Sequence, residues 1–270
     1  MDNRAIGVFD SGLGGLTVFK EITRQLPGES VIYFGDNGRA PYGTKSRDTI
    51  IKFTLQDIRF LMNHDIKMVV MACNTMSAYS YECVRENLDI PVVEVIGAGA
   101  AAAVSRTVNK KLGIIGTVAT INSGAYEKAI NKLDNSIEIY KRACPLFVPL
   151  VEEGQEWWDN EITIKIAEKY LAPLRKERVD TLVLGCTHYP MLEAAIQKVM
   201  GDNVKLVNSA TEVAAVVKKL ILDNNIQRDP GLKPVYRYYT SDSVEKFEPL
   251  CSAILGRQVR SAEKVDIEKY

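Results

Sequence analysis

The sequence predicts an α/β protein built from two similar domains, each formed around a mainly parallel sheet. Two observations lead to this fold class. Short apolar runs typical of buried strands alternate with amphipathic stretches of helical length along the chain. A weak internal repeat relates the first half to the second, and 270 residues are enough for two domains that each bury a core.

The strand candidates are short apolar runs, which are typical of parallel strands covered by helices on both sides. Six such runs are residues 6–9, 31–34, 68–71, 92–95, 112–115 and 181–184, and residues 204–207 and 236–239 are further candidates. Between them, amphipathic patterning predicts helices at 16–25, 46–63, 125–133 and 157–176.

The internal repeat supports a duplicated domain. Residues 5–11 (AIGVFDS) resemble residues 111–117 (KLGIIGT) at an offset of 106, and the strands that end at Cys73 and Cys186 are offset by 113. We expect residues 1–96 plus 210–270 to form the first domain and 97–209 the second. Each cysteine then lies at the carboxyl end of a strand, the edge where open α/β sheets bind ligands. Two such edges facing each other would form a cleft.

Composition limits the classes of partner. Lys plus Arg and Asp plus Glu balance at 34 each, and no basic cluster is interleaved with aromatic residues, so we expect no nucleic-acid partner. No apolar run approaches the roughly 20 residues of a membrane-spanning helix, and we expect no secretory signal before the first strand. Five cysteines are then expected to be reduced thiols in a soluble, cytoplasmic protein without a membrane partner.

A glycine-rich turn follows the first strand, with the sequence Asp10-Ser11-Gly12-Leu13-Gly14-Gly15. Glycines allow close approach of a ligand to the backbone, and the following helix N-terminus attracts anions. The turn lacks the spacing of dinucleotide sites and the lysine of a P-loop. It predicts a carboxylate or phosphate cradle with Asp10 near the reacting centre, able to accept a proton from a thiol. A plain helix cap is the alternative.

A second turn-rich loop, residues 35–43, follows the second strand and should lie on the same edge. Tyr42 and the backbone of Gly43 could bind a small polar substrate there. A structural turn with an exposed tyrosine explains the same pattern equally well.

The two cysteine segments carry the strongest chemical signal. A thiol at a strand-to-helix turn lies near backbone N–H groups and a helix dipole, which favour the thiolate. Two such thiols, Cys73 and Cys186, could face one carbon from opposite sides and move a proton across a stereocentre. His188 could set the protonation of a thiol or of the substrate. The neighbouring Asn74, Thr75 and Thr187 offer polar groups suited to amino and carboxylate groups.

Other candidates have simpler explanations. Cys83, Cys144 and Cys251 fit small apolar packing residues, and His64 is given no role. Trp157 and Trp158 are expected to lie in a helix and to pack there or line an interface. Glu152 could reach the cleft as an acid, although a glutamate beside another glutamate is usually a solvated surface charge.

Five segments together give a specific resemblance: GVFDSGLGG (7–15), GD through PYG (35–43), ACNT (72–75), PLVE (149–152) and GCTHYP (185–190). In this order and spacing, the chain resembles the cofactor-independent aspartate/glutamate racemase family, and its glutamate members most closely. The resemblance implies a pair of similar Rossmann-like or flavodoxin-like domains with the active site between them. It also implies a homodimer that needs no cofactor or metal and acts on L- and D-glutamate, whose D-enantiomer enters peptidoglycan.

The resemblance also implies roles for individual residues. Cys73 and Cys186 would be the catalytic acid/bases, assigned in the family to the D- and L-enantiomer respectively. Asp10 would assist Cys73, His188 would assist Cys186, and Glu152 would support the second side. The substrate-binding positions would be Asp10, Ser11, Tyr42, Gly43, Asn74, Thr75, Thr187 and His188.

Departures from the family pattern are Met76, where a small residue is expected, and Asn37 and Gly38, which stand where Thr and Ala are frequent. These residues could change helix packing or loop mobility.

Three alternatives stay open. One is a racemase for aspartate or another acidic amino acid. Another is a zinc site built from Cys73, Cys186, His188 and Asp10, although their spacing is not compact. The third is a non-catalytic amino-acid sensor, which would not need paired thiols.

Overall fold

The computed structural model describes residues 1–270 and contains ten strands in two sheets, with every strand pair parallel. Strands β1 to β10 span Ala5–Asp10, Val31–Gly35, Ile66–Met71, Val92–Glu94, Lys111–Gly116, Glu138–Ala143, Thr181–Gly185, Lys205–Asn208, Tyr236–Thr240 and Ala262–Lys264. Helices α1 to α11 span Leu16–Gln25, Arg47–Met62, Asn74–Glu86, Val95–Arg106, Val118–Ser123, Ala125–Leu133, Phe147–Glu152, Glu161–Lys176, Glu193–Met200, Ser209–Asp223 and Val244–Leu255.

The two sheets share one strand order, which confirms the predicted fold class. The first sheet runs β10-β9-β2-β1-β3-β4 and the second runs β6-β5-β7-β8. The order β2-β1-β3-β4 therefore corresponds to β6-β5-β7-β8, with β1 equivalent to β5 and β3 equivalent to β7. The strand order reverses at β1 in the first sheet and at β5 in the second. Ligands of open α/β sheets bind at such a switch point.

The central strands of both sheets pack apolar side chains on both of their faces. In β1, Ile6 and Val8 enter one buried cluster while Ala5 and Phe9 enter another. The second sheet is enclosed in the same way by two further clusters. The alternation follows from the two-residue period of a strand, and burial on both faces produces the continuous apolar runs that predicted the strands.

The structure differs from the predicted elements at the edges of sheets and at helix starts. Strands β6 and β10 were missed because both are edge strands with largely exposed or half-exposed residues. Val95 begins α4 instead of ending a strand, because the Glu94 carboxylate accepts the N–H groups of Ile96 and Gly97. Trp157 and Trp158 precede α8, which begins at Glu161 after the side-chain cap of Asn160.

The chain crosses to the second sheet through α4 and returns through α10. Strands β1–β4, β9 and β10 belong to the first sheet, and β5–β8 belong to the second. The domain boundaries given above stay a prediction; they fall inside α4 and at the first turn of α10. None of the helices is both long and apolar enough to span a bilayer.

Candidate active site

A cavity of about 300 Å³ lies between the two sheets, at the carboxyl ends of β1, β3, β5 and β7. It is lined by every residue predicted for the site except Asp10: Ser11, Tyr42, Gly43, Cys73, Asn74, Thr75, Glu152, Cys186, Thr187 and His188. The equivalent strands β3 and β7 each bring one cysteine to it. The fold therefore brings the two thiols, one from each sheet, to a single cavity.

Cys73 lies immediately before α3, and its thiol donates a hydrogen bond to the Ser11 hydroxyl at 3.3 Å. Burial, reinforced by the charge of Asp10, raises the pKa of this thiol to about 12, although Ser11 and the Met76 backbone N–H favour the thiolate. Cys73 therefore holds its proton near neutral pH.

Asp10 lies behind the cavity wall, fully buried beneath the glycine-rich turn. Its carboxylate accepts the backbone N–H of Gly12 at 3.1 Å and the hydroxyl of Thr187 at 3.3 Å. Burial raises the pKa of Asp10, while the positive charge of His188 and these hydrogen bonds lower it. Without facing the cavity, Asp10 influences Cys73 through its charge.

Cys186 and His188 form the second side of the site. The His188 Nδ1 lies 3.9 Å from the Cys186 Sγ, and its Nε2 lies 3.1 Å from a carboxylate oxygen of Glu152. Burial opposes protonation of the ring, but the hydrogen bonds to Cys186 and Glu152 raise the pKa of His188 to about 10. The His188 ring therefore lies between the Cys186 thiol on one side and the Glu152 carboxylate on the other. Glu152 therefore reaches the site as a partner of His188, although its side chain is also 39% exposed to solvent.

The glycine-rich turn packs directly against the second cysteine loop. A methyl group at Gly14 would collide with the Thr187 hydroxyl and would lie 2.5 Å from the His188 Nδ1. Nearby, Thr17 donates to the Thr187 carbonyl at 3.2 Å. The absence of a side chain at Gly14 thus allows the two halves of the site to approach each other.

Polar groups for a substrate surround the thiols. The Asn74 carbonyl oxygen accepts from the Tyr126 hydroxyl at 2.7 Å, whereas its buried amide nitrogen has no hydrogen-bond partner. The Thr75 hydroxyl lies 3.0 Å from that of Thr117. Thr117 lines the cavity but was missed at the sequence level. The internal repeat contained the signal, because Thr117 occupies the position that matches Ser11.

The Tyr42–Gly43 turn contributes backbone to the cavity. Tyr42 is buried, so the alternative of an exposed tyrosine is wrong, and its hydroxyl donates to Asp36 away from the thiols. Neither Tyr42 nor Gly43 uses its backbone N–H in a hydrogen bond within the protein. A Cβ at Gly43 would lie 2.6 Å from the Thr117 Cβ, so the turn closes tightly against the second half.

The cavity contains no lysine or arginine side chain, and His188 is its one cationic group. An anionic amino acid would therefore be held mainly by hydroxyl, amide and backbone N–H donors. No group of three His, Cys, Asp or Glu side chains is arranged to hold a metal ion, so the four zinc candidates do not form a ligand set.

The three departures from the family pattern do not line the cavity. The Met76 side chain is buried in the core of the first half. Asn37 accepts from the Thr240 hydroxyl at 3.1 Å, and the Gly38 N–H donates to the Ser241 hydroxyl at 2.9 Å. Asn37 and Gly38 therefore attach the 35–43 loop to the end of β9.

Comparison with known proteins gives one consistent result. Residues 6–217 match the Asp/Glu/Hydantoin racemase family. A glutamate racemase of Geobacter metallireducens is 46% identical over 265 residues, 98% of this chain and 97% of that protein. A glutamate racemase of Lactococcus lactis is 43% identical over 270 residues, 100% of this chain and 98% of that protein.

Solved structures agree with the sequence matches. A glutamate racemase isoform from Bacillus anthracis superposes with a TM-score of 0.94 at 42% identity, covering 98% of both chains. The glutamate racemase of Francisella tularensis, solved in complex with D-glutamate, gives a TM-score of 0.93 at 39% identity and covers 100% of both chains.

Proposed function

This chain belongs to the Asp/Glu/Hydantoin racemase family, and we propose that it interconverts L- and D-glutamate by moving the Cα proton between two thiols without a cofactor. The observation that carries the proposal is the pair Cys73 and Cys186, brought from equivalent strands of two sheets to one cavity. The glutamate racemases named above support glutamate as the substrate.

In the direction from L to D, the Cys186 thiolate removes the Cα proton while Cys73, still a thiol, donates a proton to the opposite face. Afterwards Cys186 is a thiol and Cys73 a thiolate, which is the state required for the reverse reaction. The raised pKa of Cys73 favours its thiol form, as the first of these states requires, and the His188 imidazolium lies next to Cys186. Assignment of each thiol to an enantiomer rests on the family resemblance.

The carbanion that forms at Cα has no cofactor to delocalise it, so the site must supply the stabilisation. Preorganised donors around the cavity, such as the free amide of Asn74 and the hydroxyls of Thr75 and Thr117, can bind the substrate's carboxylate groups and hold Cα between the sulfurs. General acid–base steps contribute about 10²–10⁴-fold each, so orientation and exclusion of water must provide much of the remaining acceleration.

We propose that Asp10 and Glu152 act on the thiols indirectly, Asp10 through its charge and Glu152 through His188. Together with burial, an ionised Asp10 disfavours a second negative charge nearby and so favours the thiol form of Cys73. Glu152 holds His188 in its charged form next to Cys186. The two sides thus reach complementary protonation states with different helpers.

The biological setting is also a proposal, supported by the family resemblance. The D-glutamate product would enter peptidoglycan, the enzyme would work in the cytoplasm, and it would form a homodimer. Light scattering of the purified protein tests the dimer directly, since a mass near 60 kDa is expected from two 30.0 kDa chains.

Circular dichroism can follow racemisation of L-glutamate, D-glutamate and L-aspartate by wild-type protein in D₂O. We expect both glutamate enantiomers to racemise with deuterium incorporated at Cα, and aspartate to be a poor substrate. Cys73→Ala and Cys186→Ala should each abolish racemisation. Cys83→Ala is the matched control, because Cys83 lies outside the cavity. Near-normal turnover by either active-site variant would contradict the two-thiol mechanism, and binding without turnover by wild type would favour a sensor.

A further inference from the structure

A buried network of charged groups lies beneath the Tyr42–Gly43 turn, outside the cavity. The Arg39 guanidinium donates from Nε to Asp36 at 2.7 Å, from Nη2 to Asp57 at 2.8 Å and from Nη1 to Gln56 at 2.6 Å. Both carboxylates are inaccessible to solvent, and the Arg39 side chain is only 11% exposed. All three nitrogens of one guanidinium are therefore occupied by side chains.

The network is tied to the turn by direct contacts. Tyr42, which lines the cavity, donates its hydroxyl to Asp36. On the other side of Asp36, the Ser241 hydroxyl donates to the second carboxylate oxygen at 2.6 Å. The plane of Arg39 lies over the ring of Phe53 in α2, with its central carbon 4.1 Å from the ring centroid. The loop is thereby fixed to α2 and to the end of β9.

The cation is central to this arrangement. Asp36 and Asp57 are two buried carboxylates with one arginine between them, and removal of the arginine would leave both without a cationic partner. Burial and the charge of Asp36 raise the pKa of Asp57 well above its ordinary range, while Arg39 lowers it. Arg39 therefore decides both the geometry and the charge balance under the turn.

We propose that Arg39, held between Asp36 and Asp57, is a positioning residue that fixes the Tyr42–Gly43 turn and thereby sets the affinity for the amino-acid substrate. The inference rests on the proposed function, because it assigns the free N–H groups of this turn to substrate binding. With no arginine or lysine in the cavity, binding of a carboxylate depends on such N–H donors, whose directions depend on the backbone.

The test measures KM and kcat for both enantiomers in Arg39→Lys and Arg39→Met variants. Lysine keeps the charge but cannot reproduce a planar fork that donates to four side chains, Asp36, Gln56, Asp57 and, at 3.4 Å, Glu268. We therefore expect KM to rise about tenfold with kcat within about threefold of wild type. Arg39→Met should raise KM further, and millimolar guanidinium should partly restore it. Asp57→Asn keeps an acceptor for Arg39, so its KM should stay within about threefold of wild type.

Arg59→Lys is the matched control, since Arg59 lies on α2 but is exposed and bonds only the carbonyl of Tyr270. If Arg39→Met does not fold, Arg39→Lys and Asp57→Asn still provide the comparison. An unchanged KM in Arg39→Lys, with only a lower melting temperature, would overturn the inference and leave Arg39 a stabilising residue. Failure of the wild-type protein to racemise glutamate in the same assay would instead refute the proposed function.

Discussion

Replacement of Glu152 by glutamine tests the electrostatic account of the second thiol. The perturbation removes the negative charge that lies 3.1 Å from the His188 Nε2 while keeping a hydrogen-bonding side chain of the same size. With a pKa of about 10, only about one His188 in a thousand lacks its proton at pH 7. A nearby opposite charge typically changes a pKa by about 1–3. Because the Glu152 side chain is 39% exposed and partly screened by water, we expect the lower end of that range.

The predicted midpoint for His188 in Glu152→Gln is therefore about 9, one unit below the wild-type value. Histidine NMR can measure it cleanly, because the chain has only two histidines. The pKa of the other histidine, His64, is lowered by burial and by the charge of Arg237. Its NMR signal therefore titrates at a lower pH than that of His188, which distinguishes the two. Glu153→Gln is the matched control, since Glu153 is exposed and does not contact His188.

The same pKa has a consequence for stability. Since the folded-state pKa of His188 lies above its ordinary value of 6.5, the associated stabilisation is complete below pH 6.5 and is lost as the pH rises through 10. The difference in unfolding free energy between wild type and Glu152→Gln, measured by urea denaturation, should therefore shrink toward pH 10. A wild-type His188 that titrates near or below pH 6.5 would refute the reasoning, because no imidazolium would then stand beside Cys186 at neutral pH.

Three further predictions follow from single contacts. Thr117→Val keeps the shape of the side chain but removes the hydroxyl 3.0 Å from Thr75, so KM for glutamate should rise about tenfold, equivalent to about 1.4 kcal/mol; because the same hydroxyl accepts the Thr120 N–H at the start of α5, the unfolding free energy should also fall by about 1 kcal/mol. Gly14→Ala introduces a methyl group into the Thr187 hydroxyl and should lower the unfolding free energy by about 1–3 kcal/mol while strongly reducing kcat; unchanged urea melts would contradict this packing. Alkylation of Cys73 by iodoacetamide, followed by peptide mass spectrometry, should accelerate steadily with pH and reach no plateau below pH 11, since its pKa is about 12.

The asymmetry of the site has a thermodynamic limit. The two enantiomers of glutamate have equal free energy in water, so kcat/KM must be the same in both directions. Different partners for Cys73 and Cys186 can therefore make kcat and KM differ between the two directions, but kcat/KM stays equal in both. The Ser11 and Asp10 contacts on one side and the His188 contact on the other determine which protonation state the free enzyme prefers.

Much of the fold could be predicted because its signals are local. The strands β1, β3, β5 and β7 are buried on both faces and therefore appear as continuous apolar runs. The edge strand β6 carries exposed and half-exposed residues and has no such run. The start of α8 was placed too early because the apolar tryptophans extend the helical pattern, whereas the Asn160 cap determines where the helix begins.

The same distinction between local and long-range signals applies to the candidate site. The sequence by itself determined which reactive side chains lie at the carboxyl ends of the strands, including the thiols of Cys73 and Cys186 and the imidazole of His188. This was possible because strand, turn and helix are contiguous in the chain there. Only the tertiary structure decided that Asp10 lies behind the wall and that Glu152 pairs with His188. It also brought Arg39 between two buried acids and placed Thr117 beside Thr75. Contacts between groups far apart in the chain, and the burial that shifts their pKa values, arise only when the two sheets pack together.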